Sequence, residues 1–318
     1  MTWHPSLFVR RPKVSIGLPI YNGEKYLSAS LISLLDQSFT DFEIVISDNA
    51  STDRSAEIVR EFAKSDPRIR YYRNETNIGL TPNHNRVFEL SSGEFFKWAS
   101  HDDVYPREML QRYVEVLEKA PPTVALVYSE FRIIDEFGNR SEILSDAIEK
   151  RDAPPHLRLK QVLTKMGHYS GVYALIRSAT LRKTRLHGPF PDSDKVMIAE
   201  LAMLGEIRLI KEPLFFLREH PGRSTRALKT PEARRAWMAP AEAKKSTFLS
   251  ILWKSDLEVV RSAFRLPIPA GDKIRCLAVA MGCPVWRRIL KWTFPVRKRF
   301  GLAPSVWRNE KKELGKSC

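Results

Sequence analysis

Two adjacent aspartates, Asp102 and Asp103, stand directly after the apolar run "FFKWAS". Each carboxylate disfavours ionisation of the other, so a strand seldom ends on such a pair without a partner for the charge. Three interpretations are open: a solvated turn, an N-cap for the next helix, or ligands for a hard divalent cation. Such a cation binds carboxylate oxygens and keeps waters or substrate phosphates in its shell.

The elements that must position these acids alternate in type over the first 130 residues. "KVSIGLPIYN" and "DFEIVISDNASTD" predict strands, whereas "GEKYLSASLISLLDQ" has leucines at helical spacing. Strands that alternate with helices imply a mostly parallel sheet, in which ligands bind outside the carboxyl ends of the strands. Polar clusters follow three predicted strands, as "PIYN", "SDNASTD" and "SHDD". Their convergence on one edge favours the cation interpretation of the acid pair.

The basic charge is concentrated in one part of the chain. Residues 231–318 hold 19 Lys and Arg against 7 Asp and Glu, so they carry +12 of the formal net charge of +15. This region also has a helical pattern and five of the seven tryptophans. At 318 residues, a large domain with an appendage is expected. We therefore predict a catalytic domain over 1–225 and a basic, Trp-rich helical region over 226–318.

Several classes of protein are excluded by absent signals. The three cysteines lack paired metal-ligand spacing, and their odd number argues against a disulfide scaffold and favours a reducing, cytoplasmic compartment. The amino terminus has no apolar signal segment, so secretion is not predicted. No stretch reaches the roughly 20 apolar residues that a membrane span needs, so none is predicted. The first predicted strand is not followed by a G-x-G-x-x-G motif, and "ELGKS" lacks the first glycine of a P-loop.

Two long segments resemble the family 2 glycosyltransferases of the GT-A fold, which are inverting enzymes with nucleotide-sugar donors. They are "VSIGLPIYNGEKYLSASLISLLDQSFTDFEIVISDNASTD" and "NIGLTPNHNRVFELSSGEFFKWASHDDVYPREML". A looser resemblance continues through "FPDSDKVMIAELAMLGEIRLIKEPLFFLREHPGRS". The resemblance implies an α/β, Rossmann-like GT-A fold with a mostly parallel central sheet, to which the basic helical C-terminal extension is added.

The resemblance also implies which residues bind the donor nucleotide. The second acid of the pair that usually holds the base is replaced by an amide, Asn49. An amide both donates and accepts hydrogen bonds, so the identity of the base stays open. The residues implied in nucleotide binding are Pro19, Tyr21, Asn22, Glu24, Asp48, Asn49 and Asn83.

The Asp-x-Asp signature of the family corresponds here to "SHDD", in which Ser100 replaces the leading acid. The resemblance implies that Asp102 and Asp103 meet a divalent metal, Mn²⁺ or Mg²⁺, and that Asp102 also meets the donor diphosphate. Arg218 and His220 would neutralise the charge of that diphosphate, although surface electrostatics explains both residues about as well.

The catalytic base of the family is an acid at the start of a helix beyond the acid pair. "PDSDKVMIAEL" offers Asp192 and Asp194, and the resemblance favours Asp194 because the apolar helical face starts just after it. The alternative is that either acid only caps the helix.

The segment "RRILKWTFPVRKRF" interleaves aromatic and basic residues. This pattern suits the interface of an anionic membrane, and the alternative is a helix packed on the catalytic domain with solvated cations. Nucleic acid is not expected as a partner because no nucleic-acid module accompanies the charge. The prediction is a cytoplasmic protein, peripheral on the inner face of the cytoplasmic membrane.

The predicted function is transfer of a sugar from a nucleotide-sugar donor to a glycan or lipid-linked acceptor in cell-surface polysaccharide biosynthesis. A sugar-phosphate nucleotidyltransferase is the first rival, although "PIYNGEKY" is not the Gly-rich phosphate loop of such enzymes. An inert, membrane-associated scaffold of the same fold is the second, and Ser100 in place of an acid keeps it open.

Overall fold

The computed structural model describes residues 11–149, 152–167, 170–223, 230–238, 240 and 248–283. The strands within them are β1 (Val14–Ile20), β2 (Phe42–Asp48), β3 (Ile69–Arg73), β4 (Phe95–Trp98), β5 (Val124–Ile134), β6 (Arg140–Leu144), β7 (Leu175–Arg177) and β8 (Glu206–Arg218). The helices are α1 (Glu24–Leu35), α2 (Ser55–Ser65), α3 (Leu80–Glu89), α4 (Met109–Lys119), α5 (Pro155–Lys165), α6 (Ser178–Leu181), α7 (Ser193–Leu204), α8 (Pro231–Met238) and α9 (Phe248–Arg265). A 3₁₀ turn covers Ser170–Tyr173, and residues 270–283 are also helical.

The eight strands form one sheet in the order β3-β2-β1-β4-β7-β5-β6, and β8 pairs with β5. The pairs β1–β2, β1–β4, β2–β3 and β5–β8 are parallel. β7 is antiparallel to both β4 and β5, so β5 and β8 run in the same direction as β4. The carboxyl ends of β1, β2, β4, β5 and β8 therefore lie at one edge, and the predicted mostly parallel sheet is confirmed.

The sheet is covered on both faces, which explains why β1 and β2 are buried at every position. Side chains alternate between two apolar cores: Val45 and Phe96 face one, while Ile46 and Phe95 face the other. The first core includes residues of α3, α5 and α7, and the second includes residues of α1 and α4. Helix α7 is buried almost all round, as expected for a helix whose residues are apolar on every face.

The C-terminal helical residues share the first of these cores. Val259, Ala263, Leu266, Cys276 and Ala280 pack in the same cluster as α7. The domain boundary at residue 225 stays a prediction, but side chains of residues 254–283 pack in the same core as α3, α5 and α7. Among the described residues, no helix is both long and apolar enough to cross a membrane. The segment 287–300, on which the membrane prediction rests, lies outside the described residues.

The helix after the acid pair begins later than the sequence pattern predicts. The segment "YPREMLQRYVEVLEKA" predicts a helix with Pro106 near its first turn, but α4 begins at Met109. The preceding residues pair instead with β8, through the Val104–Phe216 bridge. The amide side chain of Gln37 then accepts a hydrogen bond from the N–H of Leu110 at 3.0 Å and so caps the helix.

Candidate active site

The loop that carries the acid pair is held by its own neighbours at the end of β4. The Ser100 N–H donates to the Tyr105 hydroxyl at 2.6 Å, and that hydroxyl donates to the Ser100 carbonyl at 3.2 Å. The His101 ring lies against Gly23, where an added Cβ would come within 2.4 Å of the ring. Glycine at position 23 therefore lets the first strand's loop approach the acid loop closely.

Asp102 has partners for both of its carboxylate oxygens. The Ser100 hydroxyl donates to Oδ1, and His220 Nε2–H donates to Oδ2 at 3.0 Å. Burial by itself would raise the pKa of Asp102, but the hydrogen bonds from His220 and Ser100 and the charge of His101 lower it below its usual range. Ser100, which replaces the family's leading acid, therefore supports the acid that remains.

The pKa of Asp103 is shifted in the opposite direction. It is 4% exposed, and its Oδ1 accepts the N–H of Arg218 at 2.9 Å. Burial, and then the charge of Asp102, raise the pKa of Asp103 well above its usual value. The pair thus combines one carboxylate whose pKa is lowered with one whose pKa is raised, and a cation bound nearby would favour the ionised form of the second.

Arg218 lies beneath the loop, where the sequence placed it near a diphosphate. Its Nε donates to the Asp102 carbonyl at 2.9 Å, and its Nη1 donates to the carbonyls of Asp135 and Glu136, each at 3.2 Å. The guanidinium lies 4.9 Å from the centre of the Tyr26 ring. Arg218 is 6% exposed, so direct contact with a diphosphate would require it to leave these partners.

Lys97 is fully buried within β4, below the acid pair. Its ammonium donates to the Tyr173 carbonyl and lies 5.4–5.9 Å from the centres of four aromatic rings, those of Tyr105, Tyr113, Tyr173 and Phe215. Cation–π attraction offsets part of the cost of burying this charge. Burial lowers the pKa of Lys97 to about 7, although Asp103 acts in the opposite direction.

We expect Lys97→Met to change the pH dependence of stability. Between pH 7 and 10 the unfolded chain binds a proton at Lys97 that the folded chain does not, so the wild type gains stability as pH rises. The stability of the wild type relative to Lys97→Met should therefore rise between pH 7 and 9, by at most about 1.4 kcal/mol per pH unit. Denaturant unfolding measures this, and Lys64→Met, at an exposed lysine, is the control. A difference that does not change with pH would contradict the prediction.

The Tyr173 hydroxyl is influenced by the charges of both the acid pair and Asp194. Its ring packs on Phe215 with centroids 4.7 Å apart. Burial raises the pKa of the Tyr173 hydroxyl, and the charges of Asp103, Asp102 and Asp194 add to this effect. The charges of all three carboxylates therefore act on one hydroxyl.

Asp194 lies in the first turn of α7 and is half-buried. Its Oδ1 accepts the N–H of Lys195 at 2.9 Å. Burial, and then the charge of Asp192, raise the pKa of Asp194 to about 6. A carboxylate with that pKa is ionised at pH 7 and is a stronger base than an exposed one. Asp192 is exposed and occupies the N-cap position with a left-handed backbone.

The predicted nucleotide residues after β1 lie at the same edge of the sheet. Tyr21 is 39% exposed, and Asn22 and Glu24 are also exposed. Asn22 Oδ1 accepts the N–H of Thr52 at 2.8 Å, and Glu24 Oε2 accepts the N–H of Arg54 at 2.9 Å. These bonds hold the loop after β1 against the loop after β2.

Pro19 is buried within β1, where β4 no longer pairs with that strand. A proline at this position costs no hydrogen bond to β4. It therefore shapes the start of the loop without weakening the sheet.

Three predicted nucleotide residues form the buried floor beside this loop. Asp48 accepts hydrogen bonds from the Tyr71 hydroxyl at 2.7 Å and from Arg73 at 3.0 Å. Asn49 Oδ1 accepts from Asn74 and from the N–H of Ile78, and its Nδ2 donates to Asn77 and to the Gly79 carbonyl. Asn83 exchanges hydrogen bonds with Ser47 at 2.7 and 2.9 Å.

The amide of Asn49 is thus occupied by the loop at residues 74–79, and Asn83 is occupied by β2. In this structure both side chains shape the floor of the nucleotide side. Their contact with a nucleotide stays a prediction.

Sequence reasoning missed Lys97 and Tyr173. A lysine inside the apolar run "FFKW" is a detectable signal, because an unpaired cation is seldom buried. Tyr173 carries no local signal, since it comes next to Lys97 of β4 only through the pairing of β7 between β4 and β5.

Residues 15–185 match Glycosyl transferase family 2. This segment is more than half of the 318 residues and contains β1 to β7 with the acid pair. The chain belongs to glycosyl transferase family 2. Asp194, α7 and β8 follow the matched segment in this family 2 chain.

Known relatives match this family 2 chain over less than half of its length. An uncharacterized glycosyltransferase of Rickettsia conorii is 33% identical over 126 residues, which are 40% of this chain and 20% of that protein. The putative glycosyltransferase EpsE of Bacillus subtilis is 34% identical over 131 residues, which are 41% of this chain and 46% of that protein. Across the similar proteins compared, the matched segments span between 18% and 53% of the relative's own length.

Solved structures resemble the family 2 chain over most of its length. Staphylococcus aureus TarS 1–349, in complex with UDP, has a TM-score of 0.60 at 17% identity and covers 85% of this chain and 70% of its own. The mannosyltransferase PcManGT of Pyrobaculum calidifontis, in complex with GDP-Man and Mn²⁺, has a TM-score of 0.55 at 18% identity and covers 96% of this chain and 81% of its own. At such identities the likeness shows the fold, and the predicted GT-A fold is confirmed.

Proposed function

We propose that this protein is an inverting, metal-dependent glycosyltransferase. It moves a sugar from a nucleotide-sugar donor to a glycan or lipid-linked acceptor in cell-surface polysaccharide biosynthesis. The observation that carries the proposal is the acid pair at the carboxyl end of β4, which Arg218 and His220 at the end of β8 hold by hydrogen bonds to Asp102 and Asp103. The charge of Asp194 acts on the same Tyr173 hydroxyl as the charges of this pair. Membership of glycosyl transferase family 2 supports the proposal.

Asp194 is the general base in this proposal. It removes the proton from the acceptor hydroxyl, whose oxygen forms a bond to the anomeric carbon as the bond from that carbon to the diphosphate breaks. The proton stays on Asp194, and the nucleoside diphosphate leaves with the bonding electrons. One displacement of this kind inverts the anomeric centre.

The acid pair has the donor set for Mn²⁺ or Mg²⁺, because both ions take carboxylate oxygens. The described residues contain no group of three or more acidic, His or Cys side chains that would enclose a cation. Water and the diphosphate would therefore complete the shell around Asp102 and Asp103. A bound cation would supply charge neutralisation for the leaving diphosphate.

The nucleotide side is formed by the loop of Tyr21, Asn22 and Glu24 above the floor of Asp48 and Asn49. Because Asn49 is occupied by the loop at residues 74–79, it acts on the nucleotide by shaping this floor. Arg218 likewise supports the acid loop from beneath, and His220 contacts the diphosphate region through Asp102. UDP in TarS and GDP-Man in PcManGT support a nucleotide-sugar as the donor.

The C-terminal helices support contact with a membrane surface. Four apolar side chains on residues 254–283 are 47–70% exposed, and the members of each pair are seven residues apart: Leu257 and Phe264, Ile274 and Met281. A spacing of seven places each pair on one side of its helix. Exposed arginines accompany them, at Arg261 and Arg275. We therefore place the protein on the inner face of the cytoplasmic membrane, where lipid-linked acceptors lie.

A donor panel tests the proposed function. The protein is incubated with UDP- and GDP-linked sugars, with Mn²⁺ or Mg²⁺, and release of nucleoside diphosphate is measured. We expect release with one donor class and none after chelation by EDTA. Pyrophosphate formed from a nucleoside triphosphate and a sugar phosphate would show a nucleotidyltransferase instead. The absence of both turnover and donor binding would show an inert scaffold.

A further inference from the structure

Glu200, in the middle of α7, is a fully buried carboxylate with no part in the proposed chemistry. It is 0% exposed. Its oxygens accept the N–H of Arg185 at 2.8 Å, Arg185 Nε at 3.0 Å, the Ser262 hydroxyl at 2.6 Å and Arg265 Nη2 at 2.8 Å. A buried charge costs several kcal/mol unless it is paired and hydrogen-bonded, and these four donors provide both.

The donors come from two segments outside α7. Arg185 belongs to the loop between α6 and α7, whereas Ser262 and Arg265 belong to α9. Arg185 also pairs with Glu258 of α9. The carboxylate therefore joins α7 to a helix that lies outside the segment matching the family.

Apolar contacts act at the same interface. Val259 and Ala263 of α9, with Leu266 directly after that helix, pack in one core with Val196 and Met203 of α7. Asp194 lies six residues before Glu200, roughly 9 Å along the helix axis at 1.5 Å per residue. Because an α-helix moves nearly as a rigid unit over that distance, a shift or rotation at Glu200 reaches Asp194.

The loop of Arg185 extends the connection to the nucleotide side. Two residues on, His187 exchanges hydrogen bonds with Asn85 of α3 at 3.0 and 3.1 Å. The Gly188 carbonyl then accepts the hydroxyl of Thr81, also on α3, at 3.3 Å. Glu200 thus connects the helix of the proposed base with the helix that carries Asn83.

We propose that Glu200 is a positioning residue for glycosyl transfer, which acts through α7 on Asp194, and that α9 is an integral part of the catalytic unit. The inference rests on the proposed role of Asp194 as the base. A general base works only within hydrogen-bond reach of the acceptor hydroxyl, and a misplacement of about 1 Å can cost roughly 100-fold in rate.

The test compares Glu200→Gln with wild type. The amide has nearly the same shape but no charge, so Arg185 and Arg265 lose their shared counter-charge. We expect kcat to fall by about 10- to 100-fold, with the donor KM changed by less than about 2-fold. The acidic limb of the pH–rate profile should shift, because the surroundings of Asp194 change. Hydrogen exchange should become faster over residues 193–204.

Glu43→Gln is the matched control. Glu43 is also buried, at 7% exposure, and accepts hydrogen bonds from Ser15, Arg70 and Ser92 at 2.6–2.9 Å. It lies near the start of β2, at the edge of the sheet opposite the acid pair. This variant should lose a comparable amount of thermal stability and keep the kcat of wild type. Equal losses of kcat in the two variants would overturn the inference, because stability alone would then explain both.

If Glu200→Gln does not fold, Ser262→Ala provides a second test of the same inference. It removes one hydroxyl donor on α9, and we expect kcat to fall about 3- to 10-fold with the fold intact. Wild-type kcat in a folded Glu200→Gln or Ser262→Ala protein would overturn the inference, as would unchanged hydrogen exchange in α7.

Failure of the proposed function would be seen separately. If wild type releases no nucleoside diphosphate from any donor, the glycosyltransferase proposal fails and the exchange experiment still tests the link between α9 and α7. If wild type is active, Asp194→Asn is inactive and Glu200→Gln is normal, the inference on Glu200 alone fails.

Discussion

Asp194→Asn is expected to lower kcat by about 10²- to 10⁴-fold, because asparagine cannot take the proton of the acceptor hydroxyl. In wild type, the pKa of Asp194 is raised to about 6. The base must be ionised to act, so kcat/KM should fall as pH drops through about 6. The variant should lose this acidic limb and bind its donor as wild type does. Steady-state kinetics from pH 5 to 9 measure both effects.

Asp192→Asn is the control for this prediction. Asp192 precedes Asp194 by two residues and has a left-handed backbone with φ of 62°. Asparagine adopts that conformation as readily as aspartate, so the helix start is preserved. We expect kcat within about 3-fold of wild type. A large loss in Asp192→Asn with near-normal activity in Asp194→Asn would assign the base to Asp192.

Asp103→Asn is expected to lower kcat/KM by roughly 10³-fold, since neutralising the leaving diphosphate is worth several kcal/mol and each 1.36 kcal/mol is tenfold in rate. The amide has no negative charge with which to hold a cation. Titration calorimetry of Mn²⁺ in the presence of UDP or GDP should therefore show weaker binding. Asparagine keeps an oxygen acceptor for the N–H of Arg218, so the loop should keep its conformation.

Asp146→Asn is a matched control for this second prediction. Asp146 and Asp103 are each 4% exposed and each accept a backbone N–H at 2.9 Å, in the case of Asp146 from Gly167. Asp146→Asn should keep activity and Mn²⁺ binding. Unchanged Mn²⁺ binding in Asp103→Asn would remove the acid pair from the proposed metal site.

Local patterns in the sequence predicted most elements of the sheet. The runs that became β1, β2 and β4 are buried on both faces and therefore mostly apolar. β6 was not predicted, because four of its five residues are exposed and no alternation marks a buried face. The predicted start of α4 was about one turn too early. The helix is capped by Gln37, which follows α1 and lies some 70 residues earlier in the chain, so no local pattern marks this start.

The candidate site could likewise be predicted from the sequence only in part. Asp102 and Asp103 were recognisable because their residue type and their position after a strand are local facts. The sequence also placed Arg218 and His220 near them, and the structure brings His220 to the Asp102 carboxylate and Arg218 to its carbonyl. What Arg218 binds depends on carbonyls of the turn after β5, a contact between residues about 80 positions apart.

By itself, the sequence determined the order of strands and helices, the carboxyl-edge location of the acids and the resemblance to a family. These properties depend on periodicity and residue type over a few neighbours. The tertiary structure alone decided that the pKa of Asp102 is lowered and that the pKa of Asp103 is raised. It alone surrounded Lys97 with rings from four segments and joined Glu200 to α9. Burial and charge at a residue depend on chain segments far away in sequence, so no local pattern encodes them.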